Sequence, residues 1–185
     1  VKTIILLASV LGLVFAIGTI QHSSAQFVDP IYMKIEGIDG DVTVQGHEKE
    51  IELHSFQFGV SRSLTAPTGG QDRESSAPSI SEITVTKTMD KASPKLFGEA
   101  LVGTGKNVEI FFVLTGQDKV LTYAKYTLEN CMISSYSVSS GGDRPMESLS
   151  LNFEKITFEH IPIDGQGKPG TPERVTYDLA QGKKI

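Results

Sequence analysis

Apolar and polar residues alternate along most of this chain with a period of two. Ile31, Met33 and Ile35 interleave with Tyr32, Lys34 and Glu36, which is the signature of a half-buried strand, and Asp39-Gly40-Asp41 then signals a turn. Ile51 to Val60 and Ile83 to Thr88 repeat the pattern. Val108 to Leu114 is apolar at nearly every position, as suits a strand held between two layers. Leu121 to Leu128, Cys131 to Ser139, Met146 to Phe153, Ile156 to Ile161 and Val175 to Leu179 continue the series, with Gly116-Gln117-Asp118 and Gly141-Gly142-Asp143 as hairpin turns. About nine strands predict a mainly β fold, either a barrel or a tight two-sheet sandwich.

Within Thr84 to Lys106 the period changes. Ser93 is placed to cap a helix through its hydroxyl, and Pro94 at the first helical position has no N–H to leave unpaired. Leu96, Phe97, Ala100 and Leu101 then predict one buried apolar face, and Gly103 and Gly105 offer positive φ where the helix ends. This single helix is expected to cover a face of the Val108 to Leu114 strand.

Composition narrows the field. A chain of 185 residues, 39% hydrophobic and 21% charged, suits one domain with a sizeable core. Its net charge of -5 argues against a nucleic-acid partner, which requires clustered Lys and Arg. Residues 1–25 read as a secretory signal: Lys2 precedes the uncharged run Ile4 to Ile20, and Ser23-Ser24-Ala25 offers small residues for cleavage between Ala25 and Gln26. A membrane anchor is the rival for that run, which lies at the short limit of a spanning helix. After cleavage, residues 26–185 form one acidic domain, secreted or on the cell surface, without a membrane segment. Cys131 has no partner for a disulfide and sits in an alternating strand pattern, so it reads as a structural thiol.

Candidate chemistry is thin. His47, His54 and His160 lack metal-ligand spacing. Gly103-Thr104-Gly105-Lys106 follows a helix and precedes a strand, the reverse of a phosphate-binding loop. Neither an enzyme nor a cofactor is expected. The long polar segment Ser61 to Ser81, rich in Gly, Pro and Ser, is the best local candidate for contact with a partner.

Four stretches together resemble one family. I-x-G-I-x-G-D at Ile35 to Asp41, G-H-E-K-E-I-E-L-H-S-F-Q-F-G-V-S at Gly46 to Ser61, M-D-K-A-S-P-K-L at Met89 to Leu96 and P-M-E-S-L-S-L-N-F-E-K-I at Pro145 to Ile156 are similar, in wording and order, to the haemolysin-coregulated protein (Hcp) family, the tube subunits of type VI secretion. The resemblance spans Ile31 to Leu179. It implies a β-barrel with one flanking helix, a homohexameric ring, rings stacked into a hollow tube, and partners among secreted effector cargo and tube-tip proteins. Lys91, Ala92, Ser93, Pro94, Lys95 and Leu96 carry the family motif at the helix start. By the same resemblance the extended loop, with Arg62, Leu64, Thr65, Gln71, Asp72, Arg73 and Glu74, reaches toward neighbouring subunits.

Two features depart from that pattern. Lys49-Glu50 stands where the family often carries Gly-Trp, and the chain has no Trp. The signal-like segment departs more, since type VI tubes assemble in the cytoplasm. A conventional tube component and a separately secreted homologue both fit the residues. A monomeric secreted β-module that binds a ligand through the Ser61 to Ser81 loop is the reading from another class.

Overall fold

The computed structural model describes residues 29–64, 76–115 and 120–185. The signal-like segment with its Ala25/Gln26 junction, the loop residues Thr65, Gln71, Asp72, Arg73 and Glu74, and the Gly116 to Asp118 turn lie outside them. Among the described residues no helix is long and apolar enough to cross a membrane.

Among the described residues twelve strands and one helix follow in the order β1 (Ile31–Ile35), β2 (Ile51–Leu53), β3 (Ser55–Gln57), β4 (Val60–Ser61), β5 (Ser79–Ile80), β6 (Ile83–Thr88), α1 (Ser93–Val102), β7 (Lys106–Thr115), β8 (Val120–Ser139), β9 (Met146–Asn152), β10 (Lys155–His160), β11 (Glu173–Asp178) and β12 (Lys183–Lys184). The mainly β expectation holds. One antiparallel ladder runs β12-β11-β10-β8-β7-β1-β2, and a second runs β3-β6-β9-β8. The two sheets share β8 and wrap the core between them, so the expected barrel is not a regular closed sheet. The apolar alternation explains the wrap. Met33, Ile51, Ile83, Val85, Ile110, Leu128, Leu149 and Leu151 all point to one interior and are buried.

Several boundaries differ from the sequence reading, each for a local reason. Leu121 to Leu128 and Cys131 to Ser139 belong to one twenty-residue strand, β8. Asn130, at φ 50, bends it without ending it, so residues up to Glu129 pair with β10 while Met132 onward pair with β9. Ile51 to Val60 is the reverse case, broken into β2, β3 and β4. At this break the His54 N–H bonds to Thr86, so the chain passes from one sheet to the other.

The helix is where the sequence misled most. It packs on β8 rather than covering the Val108 to Leu114 strand. Ser93 is the first helical residue and does not cap it: Ala92 holds the cap position with no side-chain hydrogen bond. Gly103 ends the helix in extended backbone, φ -66 and ψ 160, without positive φ. The predicted single face splits in two. Leu96 is fully buried, whereas Phe97 is 50% and Leu101 65% exposed. Ala92, Ser93, Leu96 and Ala100 form the inward side, because the motif before the helix is tied down in the interior and fixes its rotation.

Candidate functional site: a buried charge anchor and two apolar surfaces

Lys87, inward-facing on β6, ties down that motif. Its side chain is wholly buried, and Nζ donates to Glu147 Oε2 on β9 at 2.8 Å, to Asp90 Oδ1 at 2.8 Å and to the Thr88 carbonyl at 2.8 Å, with Ser93 Oγ at 3.3 Å. Tyr136 on β8 donates its hydroxyl to Glu147 Oε1 at 2.6 Å. Asp90 Oδ1 accepts the Ala92 N–H at 2.9 Å, and Ser93 Oγ accepts the Asp90 N–H at 2.9 Å. Burial alone would raise the Glu147 pKa, but the hydrogen bonds from Lys87 and Tyr136 and the Lys87 charge outweigh it and hold the carboxyl below its ordinary 4.5. Burial and the adjoining carboxylate push the Tyr136 phenol up to about 12. No buried side-chain nitrogen or oxygen among the described residues lacks a hydrogen-bond partner, and this cluster anchors the start of the helix.

Three strands and a turn converge there, which sequence reading missed although a signal existed. Lys87 continues the inward phase of Ile83 and Val85, and Glu147 that of Leu149 and Leu151. One charge of each sign on an apolar phase marks a buried pair. Of the motif residues, Ala92, Ser93 and Leu96 are buried in this anchor; Lys95 reaches out to the Gly37 carbonyl at 3.1 Å, and Lys91 lies 3.8 Å from Asp41. Pro94 is exposed.

A second buried pair occupies the Lys49-Glu50 departure. Glu50 Oε2 lies 2.7 Å from His47 Nδ1, and the His47 ring sits between Tyr32 and Phe111, with centroids 4.9 and 5.2 Å away. Burial raises the Glu50 pKa, and the His47 contact opposes this. Lys49 itself has φ 66, the left-handed conformation that glycine adopts freely. His54 is exposed and bonds Thr88 Oγ1 at 2.6 Å, well removed in role from His47. Among the described residues no group of His, Cys, Asp or Glu could hold a metal ion. Cys131 is buried, and burial pushes its thiol up to about 12, where it is protonated and inert.

The sheet β7-β8-β10-β11 has two unlike faces. On one, charges alternate across neighbouring strands: Lys34 registers with Glu109, Lys125 lies 3.4 Å from Glu109 and registers with Glu159, and Arg174 Nε donates to Glu159 at 2.7 Å. On the other, Tyr126 stacks on Phe158 at 4.8 Å, beside Val175 and Tyr177. The β4-β5 hairpin stands over this apolar face through Val60 and Ile80, leaving a groove of about 360 Å³. Phe158 and Val175 remain 40% and 49% exposed along it. Arg62 and Leu64, which follow β4, are both exposed.

Comparison with known proteins agrees with this architecture. The family described as "Type VI secretion system effector, Hcp" matches residues 32–160. Protein hcp1 of Pseudomonas aeruginosa is 26% identical over 157 residues, which cover 82% of this chain and 95% of that protein. A solved type six secretion system protein superimposes with a TM-score of 0.79 at 31% identity, covering 85% of this chain and 100% of its own. Hcp1 from Salmonella typhimurium superimposes with a TM-score of 0.68 at 25% identity, covering 84% and 98%.

Proposed function

The chain belongs to the Hcp family of type VI secretion tube proteins, and from that membership we propose that six copies close into a ring, that rings stack into a hollow tube, and that this tube conveys effector cargo and meets tip proteins at its end. The match of 85% of this chain to the whole of a solved type six secretion system protein carries this reading. It is supported by the chemistry above: a satisfied buried anchor that stabilises a scaffold, and exposed apolar surfaces that a soluble monomer has no use for. The hairpin bearing Arg62 and Leu64 joins the contacts between subunits. Light scattering and negative-stain microscopy of the purified domain test the proposal. A six-fold mass and annular particles are expected, and a chain that stays monomeric at high concentration overturns it.

The apolar run Ile4 to Ile20 with Ser23-Ser24-Ala25 favours a second version, a homologue exported separately that assembles at or beyond the cell surface. Extracellular protein beginning at Gln26 is its expected result. An intact Lys2 to Ala25 segment found only on cytoplasmic protein returns the chain to the conventional pathway.

A further inference from the structure

The helix α1 is apolar nearly all round, yet the described residues enclose only its inward side, with Tyr136 touching the edge of the other at Phe97. Pro94, Phe97, Gly98, Leu101 and Val102 fall within roughly 140° of arc at 100° per residue, opposite Leu96 and Ala100. Val102 is 87% exposed and Leu101 65%. A helix with apolar residues on both sides is normally enclosed on both. Gly98 sharpens the point. Glycine is a poor helix former beside alanine, and a Cβ at Gly98 would meet nothing within 4 Å. No contact among the described residues accounts for glycine there, whereas a second backbone approaching that face would.

A strongly apolar concavity lies in the groove between the β4-β5 hairpin and β10-β11. It is the uncovered continuation of the core side of the sheet: Phe158 and Val175 follow Ile110 and Tyr126 across the strands in register, but lie beyond the reach of the interior. Glu159 and Arg174, on the opposite face, are paired with each other and leave nothing there to be covered. One surface is a projecting ridge and the other a cleft, and they are made of different residues. Two different surfaces that fit each other generate a head-to-tail contact, which closes into a ring when its rotation allows.

We propose that the outward face of α1, centred on Phe97, Leu101 and the bare backbone at Gly98, seats in the groove lined by Val60, Ile80, Phe158 and Val175 of the adjacent copy. This rests on the ring assembly proposed above. The occupant is a second copy of this chain, because the ring assembly brings copies together and every copy carries both the groove and this ridge, on which Phe97 leans against Tyr136 at 5.6 Å while Leu101 and Val102 stand open. The central apolar contacts carry the binding and the surrounding polar residues exclude water.

Leu101→Cys and Val175→Cys, placed together in one chain and treated with a short flexible bis-maleimide, test the pairing; the native Cys131 is buried and spared. A ladder of covalent multimers is expected on a denaturing gel, and either cysteine alone should give monomer. Crosslinked dimers from a single-cysteine chain would overturn the head-to-tail arrangement. Absence of a ladder from the doubly substituted chain, when the same sample forms rings by light scattering, would overturn the seating of α1 in the groove. Failure of the unmodified protein to form rings would instead overturn the assembly itself. As a second measurement, Leu101→Glu and Val175→Glu, both at exposed positions, should each raise the concentration needed for assembly by roughly 30-fold or more while leaving the unfolding midpoint unchanged. Assembly at wild-type concentrations by both would refute the contact.

Discussion

Lys87 Nζ lies 2.8 Å from Glu147 Oε2, with both side chains wholly excluded from solvent, and this pair joins β6 and β9 to the start of the helix. Breaking such a pair from one side leaves a buried charge without its counter-ion. Lys87→Met should therefore cost about 3–5 kcal/mol in urea unfolding, and adding Glu147→Leu should recover a large part of the loss. A double variant no better than the single would show that charge was not what Lys87 contributed.

Two groups make stability fall on the alkaline side. Cys131 rises from an ordinary 9.0, and Tyr136 from 10.0, each to about 12 in the folded chain. The unfolded chain loses these protons first, so between about 9 and 12 unfolding is favoured as pH rises, at up to about 1.4 kcal/mol per pH unit for the buried Cys131 and by less for Tyr136, whose ring is partly open to solvent. On the acid side the depressed Glu147 pKa acts in the opposite sense: its stabilisation is present above 4.5 and is lost as pH falls below that value. Chemical denaturation across pH should show both limbs. Cys131→Ala and Tyr136→Phe should flatten the first, and Glu147→Gln the second.

Neighbouring helix positions should respond very differently to truncation. Leu96→Ala removes a fully buried side chain from the core and should cost about 2–5 kcal/mol. Leu101→Ala, at a position 65% exposed, should change the unfolding free energy of the monomer by no more than about 0.5 kcal/mol. Equal losses for the two would mean the helix is rotated from the orientation described.

Lys49 holds a left-handed backbone, φ 66, that costs a non-glycine residue roughly 1–2 kcal/mol. Lys49→Gly should raise the thermal midpoint by a few degrees, the relieved strain being offset in part by glycine's greater freedom in the unfolded chain. The next residue, Glu50, buries its carboxylate against His47.

The strands, their alternation and the family were legible in the sequence because each rests on local order. A period of two directs Ile83, Val85, Leu149 and Leu151 inward whatever they meet there, and the motif from Met89 to Leu96 is contiguous. The helix, too, is marked by its own residues. Which way it faces is not, because Leu96 and Phe97 are adjacent and equally apolar. Its rotation is set by Lys87 and Glu147, sixty residues apart, whose pairing appears only after β6 and β9 lie side by side. The same holds for β8, where Asn130 reads as a break and becomes a bend because β9 and β10 continue the pairing on either side of it. Local chemistry therefore determined what the elements are. The tertiary structure decided which apolar surfaces are enclosed and which stay open, since burial depends on neighbours that are remote in the chain.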